Sequence, residues 1–215
     1  MITSAHEQLR HDHDYLVKFL ALGNSGVGKT SLLYQFTEGC FNSQFTSTVG
    51  IDFKEKRLVH RCSVTGREQG VHLQLWDTAG QEKFRSLTTA FYRNTMGFIL
   101  VFDLTNEQSF LDIRSWMEQL RTHAYCESPD IILVGNKVDL TEQHVVSEAR
   151  ARDAAFKLGV PYMEASAATG FNVTACVLAL VDAVLLRMNR VVDDTRLTLG
   201  KTVSPDDEVT SVCVC

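Results

Sequence analysis

Residues 23–30 read Gly23-Asn24-Ser25-Gly26-Val27-Gly28-Lys29-Thr30, which matches the pattern G-x-x-x-x-G-K-[ST]. An apolar run at residues 15–22 precedes this stretch, and a helical pattern that starts near Lys29 and continues through Ser31 follows it. Glycines let backbone N–H groups turn toward phosphates, and a helix N-terminus places positive charge beside them. The order predicts that residues 23–31 bind phosphates, with Lys29 on the β- and γ-phosphates and Thr30 on Mg²⁺. A glycine-rich structural turn is the alternative.

Strand and helix patterns alternate along the rest of the chain. Strands are predicted at residues 15–22, 51–61, 71–76, 97–103, 130–135 and 162–164, and helices from Lys29 and at residues 107–123, 147–158 and 172–190. This alternation predicts an α/β fold with a six-stranded, mostly parallel sheet and helices on both faces. The pattern also predicts a flexible leader at 1–13, one domain at 14–190 and a disordered tail at 191–215.

The composition limits the classes of function. The chain has 215 residues, 45% of them hydrophobic, and a net charge of −5, which argues against a nucleic-acid partner. No apolar run reaches the roughly 18 residues of a spanning helix, and the polar N-terminus lacks the apolar core of an export signal. Of the six cysteines, four are scattered singly and are expected to be reduced thiols in the cytosol. The other two, Cys213 and Cys215, close the chain.

A second motif, Asp77-Thr78-Ala79-Gly80-Gln81, follows the third predicted strand. In a parallel sheet it would lie at the same edge as the phosphate loop, because both follow carboxyl ends of strands. Asp77 would hold Mg²⁺, Gly80 would offer its N–H to a γ-phosphate, and Gln81 would orient an attacking water. A solvated aspartate at a strand end is the alternative.

Two further loops suit a guanine base. In Asn136-Lys137-Val138-Asp139 the carboxylate of Asp139 would accept hydrogen bonds from both N1–H and the N2 amine of guanine, donors that adenine does not present together. Asn136 would tie this loop to the phosphate loop, and the stem of Lys137 would cover one face of the ring. Ser166-Ala167-Ala168 would place a backbone N–H on guanine O6. Each of these stretches would otherwise be read as a polar turn.

These four loops, in this order, resemble those of the small GTPases of the Ras superfamily. Five segments look like those that distinguish Rab proteins: residues 49–53 (VGIDF), 75–82 (LWDTAGQE), 83–88 (KFRSLT), 91–93 (FYR) and 100–105 (LVFDLT). Residues 86–91 (SLTTAF) and 123–130 (HAYCESPD) are similar to the Rab subfamily numbered twenty-seven. The resemblance covers about residues 14–190 and implies the small GTPase fold.

The resemblance implies further roles. Thr48 would bind Mg²⁺ only when a γ-phosphate is present, and Phe41 would stack edge-on against the guanine. We expect effectors to dock on Phe53, Trp76 and Phe91, with core packing as the competing explanation for these aromatics. Both cysteines of the terminal Cys213-Val214-Cys215 would be geranylgeranylated through an escort protein; a weak metal site or two exposed thiols are the alternatives.

The leading hypothesis is a GTP-binding and GTP-hydrolysing switch that recruits effectors to membranes in vesicle trafficking and regulated secretion. Its implied partners are effectors, an exchange factor, a GTPase-activating protein, Rab escort protein, GDP-dissociation inhibitor and the membrane itself. We expect it on the cytoplasmic face of secretory granules, late endosomes or lysosome-related organelles, cycling with the cytosol. A P-loop ATPase or nucleotide kinase, and a module that holds GTP without hydrolysis, are the rival hypotheses.

The sequence departs from the pattern of that subfamily in places. Asn24 stands where the subfamily usually carries aspartate, Val138 replaces a serine, and Ala168 stands where many Rabs have lysine. The turn at residues 64–70 is also shorter than expected. No arginine in the phosphate or switch motifs is expected to be in a position to neutralise the charge of the transition state, so intrinsic hydrolysis should be slow without an activating partner.

Overall fold

A six-stranded sheet lies at the centre of the fold, as predicted. In this computed structural model the strands β1 to β6 span Tyr15–Leu22, Ile51–Arg61, Glu68–Thr78, Gly97–Asp103, Asp130–Asn136 and Tyr162–Glu164. Their order across the sheet is β2-β3-β1-β4-β5-β6, and every neighbouring pair is parallel except the antiparallel β2 and β3. The structure describes residues 15–43, 48, 51–64, 66, 68–78, 89–124 and 129–199, without the side chains of 89–90 and 191–199.

Five helices cover the two faces of the sheet in this part of the chain. Helices α1 to α5 span Lys29–Glu38, Glu107–Leu111, Ile113–His123, Glu148–Leu158 and Val173–Leu199. Helix α4 ends at Gly159, whose left-handed φ of 73° fits the helix stop that the sequence predicts there. None of the helices described has both the length and the apolar character that crossing a membrane requires.

Two helix predictions need correction. The predicted helix at 107–123 is interrupted at Asp112, whose φ of −73° and ψ of −9° tighten the backbone locally. The predicted end of the last helix at residue 190 is also wrong, because α5 continues to Leu199. The apolar period is lost after Arg190, but residues 191–199 contain neither glycine nor proline, and the first such residue is Gly200. The predicted tail can therefore begin only after Leu199.

Alternate residues of the buried strands face opposite sides of the sheet, as the two-residue period of a strand requires. One core lies between the sheet and helices α1 and α5, and the other between the sheet and helices α2, α3 and α4. The first includes Val17, Phe19, Ala21, Leu32, Phe36, Val177 and Val181. The second includes Leu20, Leu22, Phe102, Phe110, Trp116, Leu120 and Ala155. Burial on both faces explains why the central strands are almost continuously apolar.

The tip of the β2–β3 hairpin is attached to helix α5 through one carboxylate. Asp182 accepts hydrogen bonds from the backbone N–H of Ser63 at 3.0 Å, from the Ser63 hydroxyl, and pairs with His60 Nε2 at 3.0 Å. The pKa of Asp182 is lowered overall: burial acts to raise it, and the hydrogen bonds from His60 and Ser63 outweigh that effect. The hairpin is thus anchored at the end remote from Asp77.

Candidate functional site

The loop between β1 and α1 has backbone angles that only glycine adopts without strain. Gly23 has a φ of 138°, and a Cβ there would lie 2.1 Å from the carbonyl oxygen of Val101. Gly28 has a φ of 95°, and its Cβ would lie 2.3 Å from Asn136 Nδ2. Both positions combine positive φ with a contact too close for any side chain. The glycines of the motif therefore let the loop pack against the ends of β4 and β5.

Lys29, the first residue of α1, is only 5% exposed. Its Nζ donates to the carbonyl oxygens of Gly23 and Asn24, each at 2.9 Å. Burial lowers the pKa of Lys29 to about 8, against the opposing effect of the Asp77 charge. A buried ammonium group suits an anionic ligand such as a phosphate chain, which would compensate the desolvation of the charge.

Three oxygen-bearing side chains from separate segments meet beside Lys29. Asp77, at the end of β3, accepts through Oδ2 from the hydroxyl of Thr30 and, at 3.2 Å, from that of Thr48. The two hydroxyl oxygens lie 2.7 Å apart. Burial raises the pKa of Asp77, while the Thr30 hydrogen bond and the Lys29 charge act to lower it.

The donor set of this cluster fits Mg²⁺. Asp77 Oδ1 is buried and has no hydrogen-bond partner in the described part of the chain, so one carboxylate oxygen remains available to a ligand. Carboxylate and hydroxyl oxygens are the hard ligands that this cation prefers, and it usually keeps several waters. Bound Mg²⁺ would supply charge neutralisation for a phosphate chain.

The loop after β5 is connected directly to the phosphate loop. Asn136 is buried, its Nδ2 donates to the carbonyl oxygen of Val27 at 2.8 Å, and its Oδ1 accepts from the N–H of Ala167 at 3.0 Å. Lys137 adopts a φ of 68°, unusual for a residue with a side chain. Asp139 is exposed and has no bonding partner among the residues described, so its carboxylate is free to accept from a base.

The loop after β6 offers one free backbone donor. Ser166 N–H donates to Phe171 at 3.0 Å, and Ala167 N–H is used by Asn136. Ala168 is exposed, and within the described chain its N–H has no partner. Of the three residues predicted to face guanine O6, Ala168 is therefore the one whose N–H could do so without breaking a bond.

Comparison with known proteins points to the same family as the sequence motifs do. The model of the Ras family matches residues 18–186. Ras-related protein Rab-27A from Homo sapiens is 61% identical over 193 residues, 88% of this chain and 87% of that protein. Rab-27A from Sus scrofa is also 61% identical over 193 residues, again 88% of this chain and 87% of that protein. Rab-27B from Homo sapiens is 57% identical over 190 residues, 86% of this chain and 87% of that protein.

This chain is a Rab27-like small GTPase of the Ras family. It binds guanine nucleotide, hydrolyses GTP and acts as a switch in membrane-associated vesicle trafficking, with effectors, exchange factors and activating proteins as its general classes of partner. The ATPase, nucleotide kinase and non-hydrolysing hypotheses are thereby set aside.

The three aromatic residues predicted to bind effectors form one row on this GTPase. Phe53 and Trp76 face each other across β2 and β3 with ring centroids 4.9 Å apart, and Phe91 lies 5.6 Å from Trp76. Lys18 Nζ lies 4.7 Å from the centroid of the Trp76 ring. Phe53 is 40% exposed, whereas Trp76 and Phe91 are half-buried and pack against the second core. Exposure at the surface, which effector docking requires, thus applies to Phe53, whereas packing against the core applies to Trp76 and Phe91.

Sequence reasoning did not assign Asp103 to the site of the GTPase. It ends β4, is buried, and forms an ion pair with Lys137 Nζ at 2.6 Å. An aspartate at the carboxyl end of a strand was the signal available, since the same signal identified Asp77.

The remaining predicted site residues are only partly covered by the described chain. Phe41 is 46% exposed. Gly80, Gln81, Cys213 and Cys215 lie outside the described residues.

Proposed function

We propose that this GTPase is a Mg²⁺-dependent switch that recruits effectors to membranes in regulated secretion. The observation that carries the proposal is the cluster of Thr30, Thr48 and Asp77, which joins the first helix, the loop after it and the end of β3. Residues that must sense a γ-phosphate together have to meet at one point, and these three do so beside Lys29.

We propose the following binding roles, which the contacts among Thr30, Thr48 and Asp77 support for the Mg²⁺ ligands. Residues 23–31 would hold the phosphates, and Thr30, Thr48 and Asp77 would hold Mg²⁺. Gly80 would donate to the γ-phosphate and Gln81 would orient the attacking water. The guanine would be bound by Phe41, Asn136, Lys137, Asp139, Ser166, Ala167 and Ala168.

The switch would act through Thr48. Within the described chain, the side chain of Thr48 bonds only to Thr30 and Asp77, both of which belong to the proposed Mg²⁺ site. Loss of the γ-phosphate would remove a further contact and release the segment. Because the aromatic row begins at Phe53 on β2, which follows Thr48 closely in the chain, release would alter the surface that effectors meet.

Membrane attachment is proposed through the C-terminus. Cys213 and Cys215 would carry prenyl groups, and Rab escort protein and GDP-dissociation inhibitor would handle the lipidated chain. The domain at 14–190, with α5 extending it to Leu199, would stand between a leader at 1–13 and this tail. Secretory granules, late endosomes and lysosome-related organelles are the proposed locations.

The test compares nucleotides, metal and hydrolysis in one set of measurements. We expect submicromolar affinity for GTP and GDP but not for ATP, and faster GDP release when EDTA removes Mg²⁺. Phosphate release should be slow alone and fast with a Rab-type activating domain. Gln81→Leu should slow intrinsic single-turnover hydrolysis while GTP affinity stays unchanged. Equal affinity for ATP and GTP, or release of GDP that ignores EDTA, would contradict the proposal.

A further inference from the structure

The side chain of Asn24, in the phosphate loop, is held at both ends by a neighbouring helix segment. Its Nδ2 donates to Asp112 Oδ2 at 2.5 Å, and its Oδ1 accepts from the indole Nε1 of Trp116 at 2.8 Å. These bonds fix which way the amide faces, since the carboxylate requires a donor and the indole N–H requires an acceptor. No residue without both a donor and an acceptor could satisfy this pair.

Both partners of Asn24 are themselves fixed. Trp116 is 2% exposed and belongs to the core beneath α3. Asp112 lies at the break between α2 and α3, where its N–H donates to the Gln108 carbonyl at 3.0 Å and its own carbonyl accepts from Trp116 N–H at 3.1 Å. Its second carboxylate oxygen accepts from Gln108 Nε2 at 2.8 Å. The loop is therefore bonded to rigid groups.

The same residue contacts the phosphate-binding lysine. The Asn24 carbonyl oxygen accepts from Lys29 Nζ at 2.9 Å, while its side chain reaches Asp112 and Trp116. Any shift of the loop at residue 24 would move an oxygen that orients the Lys29 ammonium. Asn24 thus links the break between α2 and α3 to the cation that faces the phosphates.

The charge at this contact allows only one carboxylate. No basic side chain in the described part of the chain forms an ion pair with Asp112, whose carboxylate accepts instead from the side-chain amides of Asn24 and Gln108. An aspartate at position 24 would place a second carboxylate against the first at hydrogen-bond distance. It would lose the donor and add repulsion in a partly buried site.

We propose that Asn24 is a positioning residue for nucleotide binding, and that positions 24 and 112 form a matched pair in which one side chain is an amide and the other a carboxylate. This rests on the proposed role of residues 23–31 in holding the phosphates. It also gives the physical reason for the departure seen in the sequence, where asparagine replaces the usual aspartate: the carboxylate of the pair is at position 112 instead.

If positions 24 and 112 form such a pair, the GDP dissociation rates of the two single variants and of the double variant should not be additive. Asn24→Asp should speed dissociation of a fluorescent GDP analogue by about tenfold or more, because the new carboxylate would be repelled by that of Asp112. Asp112→Asn should change it less than about twofold, because an amide at 112 can still accept from Asn24. The double variant Asn24→Asp with Asp112→Asn restores one amide and one carboxylate, and should return within about twofold of wild type.

Controls separate this inference from folding and from the proposed function. Asn94→Asp adds the same charge at an exposed site before β4 and should leave dissociation unchanged. A double variant that releases GDP as fast as Asn24→Asp, or an Asn24→Asp variant equal to wild type, would overturn the inference alone. Wild-type protein that binds no GDP would overturn the proposed function together with the inference. If Asn24→Asp does not fold, recovery of both folding and GDP retention in the double variant supports the pair, and failure of the double variant contradicts it.

Discussion

Asn136 Nδ2 donates to the carbonyl oxygen of Val27 at 2.8 Å, and this bond joins the loop after β5 to the phosphate loop. Through Oδ1 the same side chain holds the N–H of Ala167, so three loops of the site meet at one buried amide. Each buried bond of this kind is worth about 1 kcal/mol, and a stranded partner costs about 1–3 kcal/mol.

The first prediction concerns this amide. Asn136→Ala would leave the Val27 carbonyl and the Ala167 N–H without their partner and would loosen both loops. We expect GDP dissociation to rise by at least about tenfold, since 1.4 kcal/mol corresponds to a factor of ten. Stopped-flow release of a fluorescent GDP analogue measures this. Unchanged release together with unchanged stability would show that the three loops are positioned by other contacts.

The second prediction concerns base selectivity. Asp139 is exposed and unbonded within the described chain, so its carboxylate is the group available to pair with N1–H and the N2 amine of guanine. Asp139→Asn should shift preference from guanosine to xanthosine nucleotides, because an amide can donate to the added carbonyl of xanthine. Competition between GDP and XDP measures the shift. Asp153→Asn, an exposed change on α4, is the matched control. Unaltered guanosine selectivity in Asp139→Asn would remove this residue from the site.

The third prediction separates the members of the aromatic row. Phe53→Ala should alter the free energy of unfolding by less than about 1 kcal/mol, because the ring is 40% exposed, yet weaken binding of an effector domain to the GTP-loaded protein. Trp76→Ala should cost about 2 kcal/mol or more, since Trp76 lies between Phe53, Phe91 and Lys18. Urea unfolding and calorimetric titration check the two effects. Loss of stability in both variants would show that Phe53, like Trp76, is a residue of the core and not of an exposed docking surface.

The fourth prediction is a pH dependence of stability at Asp182. Because its pKa in the folded protein lies below the ordinary value of 3.8, its carboxylate contributes stability that is fully present above that value and lost as pH falls through the folded pKa. Asp182→Asn should therefore lower the free energy of unfolding by about 1 kcal/mol at neutral pH. The difference from wild type should shrink below about pH 4, with both proteins carrying the same nucleotide. A difference that stays constant into acid would mean that the charge contributes nothing.

Much of the site could be predicted from the sequence because it consists of short motifs at strand ends. Gly23, Asp77, Asn136 and Ser166 each follow or end a strand whose apolar pattern is clear, and a parallel sheet brings such ends to one edge. The fold follows from the same alternation. Predicting the fold and these strand ends required only local sequence patterns and no contact between distant residues.

The remaining features depend on packing that a pattern does not encode. The bond between Asn24 and Asp112 joins residues 88 positions apart, and nothing local to either residue indicates the other. The interruption of the helix at Asp112 and the ion pair between Lys137 and Asp103 are of the same kind. The end of α5 at Leu199 was missed for another reason: the loss of an apolar stripe shows where packing ends, whereas a helix can continue until a breaker such as Gly200.

The last prediction concerns the terminal Cys213-Val214-Cys215. After residue 190 the chain carries five acidic residues against two basic ones: Asp193, Asp194, Asp206, Asp207 and Glu208 against Arg196 and Lys201. Such a segment would be repelled by anionic lipid, and a single lipid chain without a basic helper binds membranes only marginally. Stable attachment would therefore require both cysteines to be lipidated.

Serine replacements test this requirement. Cys213→Ser and Cys215→Ser should each weaken retention on membranes, and the double change should leave the protein wholly in the cytosolic fraction. Cys40→Ser, which removes an exposed cysteine within the domain, is the matched control and should leave retention unchanged. Fractionation of cells that express each variant, with GTP-loaded and GDP-loaded protein compared, provides the measurement. A double variant that still sediments with vesicles in a GTP-dependent way would place the anchor elsewhere, because no prenyl group could then account for the attachment.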